Sequence, residues 1–482
     1  MSSSLSGLSS LLSASDPASA IDLSEILQAA TGASTPGIDV TAAVNAAVSA
    51  AEAPEDTWES QESTLATQAS DLNTIETAAT NLDNDMKSLN SLTGSLTSFT
   101  ATSSNTGILT ASAATGSATG DNTVVVNSLA STASFASSAV ANATTDLPAE
   151  TITITPASGT ATTITTGNGV DTLTDLENAI NSAGAGVTAS IVTDASGSRL
   201  ALVSDTSGSA GSFTVSSSGG SLGFTTGATG ANASLTVNGI DISSASNTVT
   251  GAIPGVTLNL LAATPGTTAS PGTTVSVDVA PNIAASSTAI NQFVTDYNTL
   301  IGQLNTEFSD TAGTGQGSLA QDPVVQTLQS DLLGSLDFTS TTGTGSSASV
   351  MSLSALGIAV NTDGTLAVNS STLTSALQNN FSQVQNFFQG TSLNGFAGTL
   401  DTQLQSFINP ADGAFTVDLQ SNATETSSLQ TDITNFQSNI IAPLRAQLQS
   451  EFSSAEIALQ QLPGKIKDVD AELGINTSSS SS

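Results

Sequence analysis

The apolar residues from Leu65 to Leu89 recur at heptad spacing. Leu65, Ala69, Leu72, Ile75, Ala79, Leu82, Met86 and Leu89 stand 4, 3, 3, 4, 3, 4 and 3 residues apart. A stripe this narrow, backed by Asn, Thr, Ser, Asp and Gln, buries itself only against a partner helix. Each well-buried Leu or Ile then contributes about 1.5–3 kcal/mol. The complement lies at the far end of the chain, where Leu429, Ile433, Phe436, Ile440, Leu444 and Leu448 repeat the pattern, continued by Phe452, Ala455, Leu459 and Leu462. The N- and C-terminal parts are therefore expected to pack antiparallel, and Leu72, Ile75, Leu82 and Met86 to face the C-terminal helix. Pro54 marks a helix restart. Leu92, Leu96 and Phe99 are expected to extend the first stripe toward Gly107. Pro443 removes a donor inside the second stripe and is expected to kink or interrupt it, and Pro463-Gly464 to end it. A third helical segment, Ile290 to Phe308, has a wider apolar face suited to a bundle.

Between these zones the period changes. Thr123–Val126, Thr151–Ile154, Val187–Val192, Leu200–Val203, Leu235–Val237, Val256–Leu261 and Val275–Val279 are short β-type runs punctuated by Gly, Asn, Ser and Pro. One helix is expected at Leu173–Asn181, capped by Thr172 or Asp171. The fold class is thus multidomain α+β: a helical coiled-coil stalk formed by both chain ends, with β-rich head domains inserted between them. The expected division is a mobile leader at 1–36 and an N-terminal helical stalk at 37–107. A discontinuous β-rich unit follows at 108–149 and 231–283, enclosing an inserted α+β unit at 150–230. A C-terminal stalk and bundle occupies 284–462, with a hairpin near 356–369, and a flexible tail 463–482.

Composition excludes several functions. The 482 residues include 40 carboxylates, five cationic side chains, no histidine and no cysteine, for a net charge of −35. Five scattered cations cannot neutralise nucleic-acid phosphates. Thiolate and imidazole chemistry, disulfides and the usual zinc or haem ligands are absent. Apolar runs are too short to span a bilayer. Met1–Ser15 has no cationic region, so a cleaved signal peptide of the general secretory type is not expected. The leader's one amphipathic stretch, Ile21, Leu23, Ile26 and Leu27, is too short for a stable isolated helix.

Candidate reactive groups read as structural. Asp83 and Asp85 lie in the heptad zone, where alternate residues do not share a face, and are expected on a solvated helix surface. Asn361-Thr362-Asp363-Gly364 begins like a calcium loop but lacks the remaining ligands, and Asp-Gly between short apolar runs is a hairpin turn. Gly219-Gly220-Ser221-Leu222-Gly223 has the spacing of a nucleophile elbow without the strand and helix that one needs. Lys465 and Lys467, after a Pro-Gly break, are poorly placed for a Ser–Lys dyad. A two-carboxylate glycosidase remains open from sequence, because any two of the 40 acids could converge. No catalytic residue, cofactor or metal site is expected.

Several blocks, in order, resemble the bacterial flagellar filament-capping protein family, the flagellar hook-associated protein 2 family. They are Gly37-Ile38-Asp39-Val40 with Ala51-Glu52-Ala53-Pro54; Val124 to Ala130; Leu176 to Asn181 with Gly186 to Val192 and Arg199-Leu200-Ala201-Leu202; Val237-Asn238-Gly239-Ile240; and Gly255 to Leu260. Phe293-Val294 with Tyr297-Asn298, Leu356-Gly357-Ile358 with Asp363-Gly364-Thr365-Leu366, and Gln449, Phe452 and Glu456 complete the set. The leader before Gly37 is longer than that family's, and Pro443 departs from its continuous terminal helix. The resemblance implies a non-enzymatic cap at the distal tip of the flagellum, extracellular and secreted through the flagellar type III pathway, with the leader as export address. It implies a ring-like homo-oligomer of unspecified size that retains exported flagellin and promotes its insertion. Its partners would be flagellin, hook-associated junction proteins and, before secretion, an export chaperone. The competing readings are a flagellin-like or hook–filament junction subunit, or a surface adhesin using the β-rich head. The stalk-packing residues are taken as Leu65, Leu72, Ile75, Leu82, Met86, Leu89, Leu429, Ile433, Phe436, Ile440, Leu448 and Phe452.

Overall fold

The computed structural model describes residues 39–266, 272–309, 319–342 and 349–472. The leader at 1–36 and residues 473–482 of the tail lie outside these. Helix α1 (Val40–Ala51) begins at Asp39, whose carboxylate accepts the Ala42 N–H at 3.0 Å. Helix α2 (Ala53–Asn90) carries Pro54, Glu55 and Asp56 in its first turn and Lys87 in its last, matching the helix dipole at both ends. It stops well short of Gly107. The Ser91 hydroxyl accepts the Thr93 N–H, and a Cβ on Gly94 would lie 2.1 Å from the Ser88 carbonyl, so the chain turns out tightly there. Leu92 is accordingly 65% exposed, and Phe99 opens a strand.

That strand, β1 (Phe99–Ser103), is followed by β2 (Leu109–Ala113), β3 (Gly120–Ser128) and β4 (Thr132–Ser137). Next come β5 (Thr151–Pro156), β6 (Thr162–Thr165), α3 (Leu173–Ala183), β7 (Val187–Asp194), β8 (Gly197–Ser207), β9 (Phe213–Ser217) and β10 (Phe224–Ala228). The series closes with β11 (Ala233–Val237), β12 (Ile240–Ser244), β13 (Thr248–Ile253), β14 (Val256–Leu260) and β15 (Thr274–Pro281). Two antiparallel sheets, β1-β15-β3-β11-β12 and β13-β14-β2, share a core of Val124, Val126, Leu235, Val237, Leu258 and Val277. Asn238 (φ +50°) and Gly239 (φ +82°) form the β11–β12 turn, a left-handed pair suited to a two-residue hairpin. A second pair of sheets, β10-β4-β8-β7 and β6-β5-β9, encloses Ile152, Ile154, Leu176, Ile180, Leu200, Leu202 and Phe213.

Strand pairing moves the expected boundary between these units. β4 joins β8 and β10, so the inserted unit begins at Thr132 and not at 150. The segment Thr132–Ser137 has a single large apolar residue, Phe135, which hid it from the periodicity. The chain leaves and re-enters the outer unit at one place. There Ser131 and Ala231 exchange backbone hydrogen bonds of 2.9 and 3.3 Å, and the Asn247 side-chain amide pairs with both the N–H and the carbonyl of Ala130.

The last part is helical. It comprises α4 (Ile283–Phe308), α5 (Pro323–Ser335), hairpin β16 (Thr339–Thr342)/β17 (Ser349–Ser352) and hairpin β18 (Ile358–Val360)/β19 (Leu366–Val368). Then follow α6 (Ser370–Asn379), α7 (Phe381–Gln389), α8 (Phe396–Ile408), α9 (Ala414–Phe436), a π-helical turn (Gln437–Ile441) and α10 (Ala442–Glu472). Their core surrounds the second half of α2. Leu72, Ile75, Leu82, Met86 and Leu89 meet Phe293, Tyr297 and Leu300 of α4, Phe387 and Phe388 of α7, and Phe396 and Leu404 of α8. The Phe-Val-x-x-Tyr-Asn segment of α4 divides its labour: Phe293, Val294 and Tyr297 enter the core, while Asn298 clamps the hairpin. The Asn298 amide donates to the Leu366 carbonyl at 2.8 Å and accepts the Leu366 N–H at 2.6 Å.

Candidate assembly interface

The two chain ends run antiparallel. From one end of the contact to the other, the Asn422 amide donates to the Leu65 carbonyl, Gln430 to Glu62 and Gln437 to Glu55, and Arg445 donates to Asn45 and pairs with Glu52. Trp58 meets Phe436 edge-on at 5.4 Å. Numbers rise on one helix as they fall on the other, and most of the ties are polar.

This register redistributes the twelve predicted packing residues. Leu72, Ile75, Leu82, Met86 and Leu89 are buried in a cluster that draws on α4, α7 and α8 and on Phe415 and Leu419 at the start of α9, and that does not include Leu429 or the stripe residues after it. Phe436, Leu448 and Phe452 pack instead around Val44 and Val48 of α1. Leu65, Leu429 and Ile433 are half-buried and stand outside these clusters. Ile440 is 46% exposed, while its neighbour Ile441 is 2% exposed and occupies the core between α1 and α10. The π turn explains the exchange. The Ala442 N–H bonds the Gln437 carbonyl five residues back, which adds one residue to the turn and advances the buried position by one. It directly precedes Pro443, whose ring crowds the carbonyl four residues back. Helix thus continues past Pro443 through a widened turn. It also continues through Pro463 to Glu472. That proline leaves the Leu459 carbonyl without its intrahelical donor, and Leu459 is exposed enough for water to serve. Beyond the reach of α1, α10 displays Ile457, Leu459, Leu462, Ile466 and Val469, each between 45% and 57% exposed.

Two predicted surface acids are not on the surface. Asp83 is 1% exposed; its Oδ2 accepts Lys87 Nζ at 2.6 Å and Gln405 Nε2 at 2.8 Å, and it lies beside Asp401 of α8. Asp85 points the other way, toward Asp296 of α4. Because α2 is wrapped by helices on several sides, residues on different faces of it are enclosed together, which a single-stripe reading does not anticipate. Burial, followed by the neighbouring carboxylate, pushes Asp85 up to about 7 and Asp401 up to about 6. The aromatic set Phe387, Phe388 and Phe396 also escaped the sequence reading. Its signal was present in the spacing of Phe381, Val384, Phe387 and Phe388, followed by Phe396, Leu400 and Leu404.

The other candidates have structural settings. Asp363 Oδ1 accepts the Thr365 N–H and hydroxyl in the β18–β19 turn, which holds its carboxyl below the usual range. Ser221 is exposed in the loop joining β9 to β10, where no helix follows. That loop wraps Glu150, whose carboxylate accepts the Ser217 hydroxyl and the Leu222 N–H. Among the described residues no cluster of three or more acids could hold a metal ion, and no helix is long and apolar enough to cross a membrane.

A mixed helical and β-sheet chain, with helices on both sides of its β-rich segment and no cluster of candidate catalytic groups among the described residues, has the make-up of a structural protein. Residues 36–133 match the flagellar hook-associated protein 2 N-terminus and residues 230–464 its C-terminus, while residues 151–206 match the flagellin hook IN motif. The chain belongs to the flagellar hook-associated protein 2 family. The B-type flagellar hook-associated protein 2 of Pseudomonas aeruginosa is 28% identical over 347 residues, covering 64% of this chain and 69% of that protein. The flagellar hook-associated protein 2 of Salmonella typhimurium is 26% identical over 237 residues, 47% of this chain and 48% of its own, so the match spans about half of that relative. The D1-D2-D3 domains of the flagellar cap protein FliD from Escherichia coli superpose with a TM-score of 0.58 at 24% identity, over 73% of this chain and 99% of that one. At that identity the likeness is one of fold.

Proposed function

We infer that this chain caps the distal tip of the bacterial flagellar filament. It forms a ring-like homo-oligomer that retains exported flagellin and promotes its insertion beneath the ring. The paired helical ends act as a stalk, the β-rich units as the head through which copies meet. The exposed apolar row of α10 is the part of the stalk that reaches filament subunits. Export follows the flagellar type III route, with an export chaperone before secretion and the hook-associated junction proteins as the first platform outside. The observation that carries this reading is the family match on both flanks, residues 36–133 and 230–464, at either side of the inserted unit. Deletion of the gene tests it: flagellin should accumulate in the medium as unpolymerised monomer. Normal filaments in the deletion strain would reject the reading.

A second reading, a flagellin-like shaft or junction subunit, draws support from the flagellin hook IN motif at 151–206. Purified protein separates the two: a cap stops at closed rings, whereas a shaft subunit polymerises into long filaments.

A further inference from the structure

At the edge of the helical core carboxylates are set against carboxylates, Asp83 buried and Asp85, Asp296 and Asp401 half-buried. On one side of α2, Asp85 lies within hydrogen-bonding reach of Asp296 on α4. On another, Asp83 lies beside Asp401 on α8. Three of their oxygens, Asp83 Oδ1, Asp85 Oδ2 and Asp401 Oδ1, are buried and receive no donor. A buried acceptor without a donor is costly, and two ionised carboxylates cannot supply one to each other. A single proton shared within each pair supplies it and removes the repulsion as well.

We propose that these two acid–acid contacts form a proton-operated clasp, which fastens α4 and α8 onto α2 in mildly acidic medium and loosens as the medium turns neutral. The surrounding charges agree with this. Lys87 stands 2.6 Å from Asp83 and 4.0 Å from Asp401, and its charge offsets part of the rise at Asp401. Asp85 and Asp296 appear in none of the ion pairs among the described residues, and Asp296 is otherwise held by Gln292 at 3.0 Å. Helix α7 carries no charged residue. On α9, Asp418 lies near Leu65 and Leu72 of α2, and burial, followed by Asp322, pushes its carboxyl up as well.

The sign follows from linkage. Asp85 near 7 and Asp401 near 6 bind protons in the folded chain that they lose near pH 4 when unfolded. Their contribution is therefore full at and below about pH 4 and declines as pH rises. It is spent once pH passes the folded values. The chain has no histidine and no cysteine, so no other side chain of ordinary pKa titrates between about pH 5.5 and 8. Each clasp steepens the unfolding equilibrium by at most about tenfold per pH unit in this window.

The test is denaturant unfolding of the full chain at a series of pH values from 5 to 8.5, followed by emission of the sole tryptophan, Trp58, and by the helical signal. The wild-type midpoint should fall up to about pH 7 and then level off. Asp85→Asn supplies the missing donor permanently. It should flatten the upper part of the decline and make the protein the more stable variant at pH 8. Asp401→Asn should flatten the lower part. Asp296→Asn, changing the other partner, should reproduce Asp85→Asn. Curves for these variants that run parallel to the wild type, or a wild-type midpoint level across the window, would overturn the proposal.

Discussion

Replacing Asn298 by alanine removes two of the hydrogen bonds that tie the β18–β19 hairpin to α4, of 2.6 and 2.8 Å. Each such bond contributes about 0.5–1.5 kcal/mol net, and a peptide group left unpaired costs more in proportion to its burial. Leu366 is 3% exposed, so its N–H and carbonyl have little access to water in the intact core. The expected loss is about 2–4 kcal/mol. Asn305→Ala is the matched control. It removes one bond to the hairpin, to the Asp363 carbonyl at 2.8 Å, at an exposed site, and a longer one accepted from Gln329 at 3.3 Å, and should cost under about 1 kcal/mol. Denaturant unfolding followed at the helical signal measures both. Hydrogen exchange over 358–368 should show the hairpin opening in Asn298→Ala while the inserted β unit keeps its protection. Equal losses in the two variants, or a change below about 0.5 kcal/mol for Asn298→Ala, would mean that apolar packing alone seats the hairpin.

Ile441→Ala should lower stability by about 2–4 kcal/mol, against under about 0.5 for Ile440→Ala, because one is buried and the other largely exposed; thermal unfolding monitored by Trp58 emission separates them, and reversed magnitudes would refute the π-turn register. Leu82→Asp places an uncompensated charge at a fully buried position. It should abolish the cooperative melting of the bundle, and an unchanged melting profile with full helix content would contradict the assigned core. Gly364→Ala meets both a left-handed φ of +82° and a Leu333 methyl at 2.9 Å; a midpoint drop equivalent to about 1–2 kcal/mol is expected.

The alternation of periods was enough to read the overall plan. The heptad stripe of α2, the β runs between Thr123 and Val279 and the capped helix at Leu173 all appear as sequence patterns. What escaped has identifiable causes. A stripe declares that a face is buried, not which helix buries it, so matching α2 to the other stripe alone leaves out α4 and α8, which pack along it as extensively as α9 does. Edge strands such as β10, Phe224–Ala228, are held by backbone bonds and carry little apolar signal. The Ile440–Ile441 exchange depends on one extra residue in one turn, which propensity does not encode. Asp83 and Asp85 were read by their polarity, yet α2 is enclosed on several sides. By contrast, several asparagines, two of them in the motif blocks, become intelligible only in three dimensions. Asn181 pairs with both backbone groups of Ala189, as Asn298 does with Leu366 and Asn247 with Ala130.

The paired entry and exit at Ser131 and Ala231 mean that the inserted unit is grafted onto its neighbour through adjacent strands, like a branch on a single node. The chain from Thr132 to Gly230 thus enters and leaves through that node, where Ser207 and Ser209 add ties to Ala245 and Asn232. Changes within the inserted sheets then bear on the parent sheets at one small junction.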